Sequence, residues 1–259
     1  MAALCQSAND MRPLRSERLI GAALAVSVLI ARLLIGTAAA EEPRHLEAEA
    51  PVSLAAAKSR CAPALVKAGE ACEVGDFGPV GAVAGHDFSW ARHDFKPAPA
   101  DALHTLPWSR VIIFEHLPVG TLRPILISGD DAAFGYGKPE ILRAGGRVVL
   151  HVPAYESGTG NFNRELLYIW ANDGWRDVDV TSWLDELKHW LPKGLSVLKG
   201  VYPDFATMTA DTPLWREQDG PTCAEGGRAH VDLQWRGDRI AVGSVRLVKA
   251  GECGEPLPH

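Results

Sequence analysis

Apolar and polar positions follow their clearest pattern between residues 166 and 194. Leu166-Leu-Tyr-Ile-Trp170 is an unbroken apolar run, the mark of a strand covered on both faces. Asn172-Asp173-Gly174 then signals a tight turn, because Asn and Asp tolerate the left-handed region and Gly has no Cβ to forbid it. Trp175 to Val180 returns as a second strand. Ser182 is placed to cap a helix, with Asp185 and Glu186 in its first turn. Trp183, Leu184, Leu187, Trp190 and Leu191 recur at helical spacing and form one apolar stripe. Pro192 blocks continuation and Gly194 suits the position past the cap. The spacing therefore predicts an amphipathic helix over about 183–191, packed on a sheet, with the apolar side chains of 166–191 sharing one dry interior.

Elsewhere the pattern is weaker. Phe88 to Phe95, Val111 to Phe114 and Leu122 to Ile127 read as strands. Pro124 has no N–H for a ladder, so the third is an edge strand or begins after the proline. Ile141 to Arg143 and Arg147 to Val152 flank Ala-Gly-Gly, a hairpin signature. Glu73 to Gly85 is dense in glycine without periodicity and reads as a loop. Leu195 to Gly200 and Phe205 to Ala210 read as short strands, and Pro213 to Cys223 as a link. About ten strands and one good helix give an α+β class, mainly β, with antiparallel, sandwich-like sheets.

The last hairpin specifies its own register. Ala229, Val231, Leu233 and Trp235 alternate with polar residues before Gly237-Asp238, and Ile240 and Val242 continue beyond it. A two-residue loop sets Trp235 opposite Ile240 and Leu233 opposite Val242, apolar pairs on one face. Carried further, that register places Cys223 opposite Glu252, one position short of Cys253, a gap that a bulge or a fraying end closes. Cys61, Cys72, Cys223 and Cys253 are the four cysteines after residue 40. An even set in an exported chain reads as two disulfides, and local pairing is expected: Cys61–Cys72 and Cys223–Cys253. A metal site is the rival reading, but no spacing resembles C-x2-C with a distant partner pair, so no metal and no cofactor are expected.

The first forty residues change the picture. Arg12, Arg15 and Arg18 precede an apolar run from Leu19, and Ala38-Ala39-Ala40 offers a small-residue cleavage site. The expectation is a secretory signal peptide over 1–40, a flexible arm over 41–59 with little to bury, and a single β-rich domain over 60–259. An uncleaved anchor is the alternative, and Arg32 within the apolar stretch disfavours it. After residue 40 no run is apolar long enough to span a bilayer. Periplasmic or secreted localisation follows. From Glu41 onward 30 acidic residues outnumber 22 basic ones, a balance that argues against nucleic acid and anionic lipid.

Candidate chemistry is sparse. The loop Glu156 to Glu165 offers Ser157, Thr159, Asn161, Asn163, Arg164 and Glu165 among glycines that let backbone approach a ligand. Trp215 and Arg216 form a candidate surface aromatic–basic pair. Asp177 and Asp179 share a strand face that either binds a cation or meets water. His151 with Glu156 or Glu165 is the nearest approach to an acid–base pair, and there is neither a Walker loop nor a nucleophile elbow. Eight tryptophans are many for this length; Trp183, Trp190, Trp235 and Trp170 fit core positions, leaving Trp90, Trp108, Trp175 and Trp215 as possible platforms for sugars. No assembled catalytic set is present. The leading expectation is a non-enzymatic binding or envelope-associated module with an envelope protein or glycan as partner. The alternative is a hydrolase-like enzyme acting on envelope glycan or peptide, with His151 as its base.

Overall fold

Val149, Leu167 and Ile169 point one way from two neighbouring strands while Leu150, Val152 and Tyr168 point the other, and both sets are buried. A continuous apolar run produces this result because a sheet covered on both faces needs apolar residues at every position. The computed structural model describes residues 44–46, 50–62, 66, 71–96, 108–129, 134–156 and 165–249. Strands dominate, in antiparallel sheets curled into half-barrels, with two helices among the described residues.

The first sheet comprises β1 (Arg44–His45), β2 (Val52–Ser53), β3 (Ala71–Val83), β4 (His86–Lys96), β5 (Trp108–His116) and β6 (Thr121–Ile127), with helix α1 (Leu54–Ser59) after β2. Next come β7 (Phe134–Tyr136), β8 (Glu140–Ala144), β9 (Arg147–Val152), β10 (Ala154–Glu156), β11 (Leu166–Ala171) and β12 (Gly174–Asp177). Of these, β12-β11-β9-β8 form the middle sheet, and β7 pairs with β10. Helix α2 (Ser182–Trp190) leads to the third sheet: β13 (Leu195–Ser196), β14 (Tyr202–Asp204), β15 (Thr209–Arg216), β16 (Gly227–Arg236) and β17 (Arg239–Val248).

Three apolar clusters alternate with these layers. One lies under α1 on the outer face of the first sheet (Ala91, Phe95, Ile112, Phe114). A second fills the space between the first and middle sheets (Phe88, Trp90, Ile113, Leu150, Tyr168, Trp175). The third joins the middle sheet to α2 and the third sheet (Leu167, Ile169, Trp183, Leu187, Leu233, Val242). The single interior expected for 166–191 is thus two: Tyr168 and Trp183 are both buried, on opposite sides of β11. Period-2 alternation divides them.

Helix α2 differs from its sequence reading in its cap. Ser182 lies inside the first turn, and its hydroxyl donates to the Ile240 carbonyl at 3.0 Å. The Asp179 carboxylate takes the free N–H groups of Thr181 and Ser182 at 3.0 and 2.9 Å, which lowers its pKa against the opposing effect of burial. A carboxylate three residues upstream reaches both donors, which frees the serine to tie the helix to β17. Glu186, expected only to favour the helix dipole, accepts the Val242 N–H at 2.8 Å and faces Arg236 and Arg239. Trp190 departs from the stripe and is 48% exposed; the helix ends there, so no following turn covers it.

Several expectations are corrected. Ala71–Val83 is a strand, not a loop. Its glycines and proline flank two register shifts, at Val74/Asp76 and Pro79/Gly81, and an irregular, half-exposed edge strand shows no apolar alternation. The arm is anchored where it is described: β1 and β2 both pair with β6, and Leu46 and Ala57 are buried. That pairing also makes β6 internal, with Pro124 accommodated at the register shift opposite Ile113 and Phe114. Thr209–Arg216 is one strand through Pro213, which falls between the part covered by β14 and the part covered by β13. Phe205 to Met208 form the turn before it.

The three hairpin turns lie where the sequence placed them. Asn172 and Asp173 take φ of 51° and 60°, and Gly145-Gly146 and Gly237-Asp238 close the other two. A Cβ on Gly145 would come within 2.8 Å of Trp235, whose indole N–H donates to the Ala144 carbonyl at 3.0 Å; the close contact requires glycine. On the last hairpin, Leu233 faces Val242 and Trp235 faces Ile240, and a bulge between Asp232 and Leu233 moves the onward register by one. Gly243 is the extra residue, where a Cβ would press on the Asp232 carbonyl at 3.1 Å. The shift is the one-residue correction that a Cys223–Cys253 bridge requires. Cys61 and Cys72 are bonded, with Cα atoms 6.2 Å apart. Cys223 is disulfide-bonded as well, and Cys253 lies outside the described residues.

Candidate functional site

A pocket of about 360 Å³ opens between the first and middle sheets. Strand phase supplies its polar wall. Val111, Ile113 and Glu115 are alternate residues of β5, so the row that buries two aliphatic side chains aims a carboxylate at the same gap. Glu115 stands directly across the β5–β6 ladder from Arg123, and across the β4–β5 ladder from Phe88. His86, two residues before Phe88, is its diagonal neighbour. The outcome is a three-membered cluster: one Glu115 oxygen meets His86 Nδ1 at 2.6 Å, and the other accepts from Arg123 Nη2.

Aromatic rings form the opposite wall. Trp170 and Trp175 are register partners across the β11–β12 hairpin and meet edge to face at 5.1 Å. Phe88 packs against both, and His86 lies 5.3 Å from Trp170. The Asp173-Gly174 turn and His45 complete the rim, with His45 Nε2 held 3.1 Å from Asp177. Burial alone would raise the Glu115 pKa, but its bonds to Arg123 and His86 outweigh that and set it below the ordinary carboxylate range. At neutral pH the site presents an ionised carboxylate, a guanidinium and an imidazole beneath a tryptophan pair.

His151 belongs to a separate cluster. Its Nε2 is 2.8 Å from Glu165 and its Nδ1 3.2 Å from Glu140, its partner across the β8–β9 ladder, and its ring edge meets Phe205. Burial lowers the His151 pKa, and the two carboxylates more than reverse the shift. Both ring nitrogens face carboxylates, which hold the ring best when both nitrogens carry protons; in that state the ring has no lone pair to accept a substrate proton. A raised pKa stabilises the fold fully below the unfolded value of about 6.5, and the contribution disappears as pH rises through the folded value. Urea unfolding should therefore show wild-type stability declining on this basic limb, and His151→Gln should flatten it. Parallel pH profiles for the two proteins would exclude the pair as a source of stability.

The other sequence candidates are distributed differently. Ser157, Thr159, Asn161, Asn163 and Arg164 lie outside the described residues; Glu165 is engaged by His151. Trp215 and Arg216 do not form a surface pair: neighbours on a strand face opposite ways, and Trp215 is buried while Arg216 is exposed. Asp177 pairs with His45 and Asp179 caps α2, so neither of them waits for a cation. Trp90 is buried and Trp108 stacks on Phe95 at 4.0 Å. Of the four proposed platforms, Trp175 alone reaches the pocket. His86, Glu115 and Arg123 escaped sequence reasoning; the available signal was Glu115 in phase with Val111 and Ile113.

Among the described residues one further group brings potential metal ligands together. The sulfurs of Cys61 and Cys72 and a ring nitrogen of His93 lie within 4.8 Å of one another. His93 is 1% exposed and neither ring nitrogen has a hydrogen-bond partner. Burial pushes its pKa down to about 4; Asp94 opposes that shift to a lesser degree, and Arg110 adds to it. Among the described residues no helix is long and apolar enough to cross a membrane. No family model, curated protein or solved structure matches the chain.

Proposed function

We propose that this protein is an exported, non-enzymatic binding module that holds a saccharide in the pocket between Glu115, Arg123 and His86 on one side and Trp170 and Trp175 on the other. One observation carries the reading: the apolar wall and the hydrogen-bonding wall face each other across a single gap. A sugar ring offers a C–H face to aromatic rings and a fringe of hydroxyls to charged donors and acceptors, which is the complement of this arrangement. The volume is at the small end of the roughly 300–1,000 Å³ typical of ligand sites. Export to the periplasm or beyond is supported by the Cys61–Cys72 bridge, since disulfides persist in oxidising compartments, and an envelope glycan is the partner such a location offers. The polar residues of the 157–165 loop form a second candidate contact within the same proposal.

The rival hydrolase reading, expected at His151 with Glu156 or Glu165, finds at His86 a second imidazole held by a carboxylate, as in part of a general base. A glycosidase also needs a carboxylic acid that keeps its proton, and Glu115 is held ionised by two partners. Titration calorimetry with a panel of neutral and N-acetylated disaccharides distinguishes the readings. Wild-type protein should bind at least one of them without releasing new reducing ends, and Trp170→Ala should weaken binding about tenfold, or ~1.4 kcal/mol. Turnover of the bound sugar, or equal affinity in the variant, would overturn the proposal.

A further inference from the structure

The His93 cluster lies on the outer face of the first sheet, away from the saccharide pocket. On the β3–β4 ladder Cys72 is opposite Phe95 and Val74 is opposite His93. Ala91, His93 and Phe95 are alternate residues of β4, so they share the face that buries Ala91 and Phe95. The imidazole is held there against the Cys61–Cys72 bridge, without an acceptor for its N–H or a donor for its other nitrogen. Leaving a buried polar group unpaired carries a desolvation cost that a bonding partner would remove. A disulfide offers a weak acceptor at best. Two thiolates holding a metal ion offer what the ring lacks, a Lewis acid for its lone pair.

We propose that the Cys61–Cys72 pair, once reduced, joins His93 in a three-coordinate site for a soft monovalent d10 cation, Cu(I). The opening step consumes two electrons and two protons from a dithiol reductant, which leaves as its own disulfide, and breaks the S–S bond to give two thiols. Binding then releases both thiol protons to solvent as two Cu–S bonds and one Cu–N bond form. Two features select Cu(I) over Zn²⁺. The described residues supply three ligands, and Zn²⁺ in a closed site takes four, whereas Cu(I) accepts fewer. Two thiolates and a neutral imidazole around Cu(I) carry one negative charge, and the guanidinium of Arg110, the register partner of His93, is close enough to act on that ring. The same set around Zn²⁺ would be neutral and gain nothing from that guanidinium.

The test titrates the full chain with Cu(I) under anaerobic conditions against a chromophoric Cu(I) chelator, before and after phosphine reduction. The reduced protein should take up one equivalent with two sulfur and one nitrogen scatterers in X-ray absorption, and the oxidised protein none. His93→Leu should lose the nitrogen scatterer and bind at least tenfold more weakly. A Cys5→Ser, Cys223→Ser, Cys253→Ser variant should keep the single equivalent, since it retains all three ligands. Near-UV circular dichroism of each reduced protein confirms that the sheet persists. Uptake by the oxidised form, undiminished affinity in a folded His93→Leu, loss of uptake in the triple serine variant, or preference for Zn²⁺ over Cu(I) would each overturn the assignment.

Discussion

Trp183→Ala should cost about 3–5 kcal/mol, the range for truncating a fully buried tryptophan. The ring is inaccessible to solvent and stands where α2 meets both the middle and the third sheets. Removing it opens a cavity that the surrounding strands cannot close, because Leu167 and Ile169 are fixed by the β9–β11 ladder and Val242 by the β16–β17 ladder. The loss is a large share of the roughly 5–15 kcal/mol that keeps a domain folded. Trp183→Phe is the informative control. It keeps much of the buried area and discards an indole N–H that has no acceptor, so it should cost far less than the alanine variant. Urea midpoints measured with an unchanged m-value would report both. A Trp183→Ala loss below about 1 kcal/mol would show that α2 is an accessory to the third core and not its lid.

The contrast between α2 and β3 explains which parts of the fold were legible. Trp183, Leu184 and Leu187 repeat within one element and bury against sheet, so local spacing reported their tertiary role. The turns at Asn172-Asp173, Gly145-Gly146 and Gly237-Asp238 were readable for the same reason, because their backbone demands are met by residues adjacent in sequence. Strand β3 carries its signal in pairing alone: two register shifts and an exposed edge erase the alternation that identifies a strand. The division of the 166–191 side chains into two cores was implicit in the alternation of Leu167 and Tyr168, but a continuous apolar run does not say how many layers it touches.

The pocket was harder to read still. His86, Glu115 and Arg123 come from three strands and meet only through two ladder registers. No short motif can announce such a set. Composition instead drew attention to the polar loop around Ser157 and Asn161, whose glycines and amides resemble a ligand loop whatever their surroundings. His151 illustrates the opposite hazard. A histidine beside carboxylates in sequence space suggests acid–base work, yet two carboxylates on one ring leave it saturated.

Glu115→Gln should be the most damaging change to ligand binding, a loss of about a hundredfold, or ~2.7 kcal/mol. The substitution preserves shape and removes the charge that organises the polar wall. A neutral amide cannot hold both the Arg123 guanidinium and the His86 ring as the carboxylate does, and hydrogen bonds to charged groups are the stronger kind. Arg123 and His86 would then reorient toward solvent, and a sugar hydroxyl would meet a disordered wall in place of a preset one. The same substitution has a signature in the acid limb of stability, independent of any ligand. The folded Glu115 pKa lies below its unfolded value of about 4.3, so its contribution is fully present above that pH and is lost as pH falls through the folded value. Wild-type protein should therefore lose stability on acidification below about pH 4.3 more steeply than Glu115→Gln, which has no proton to bind there. If the two acid limbs coincide while ligand affinity still falls, the carboxylate acts on the sugar directly and not by fixing its neighbours. If affinity is unchanged as well, the cluster is a half-exposed ion pair that lines the pocket without serving it.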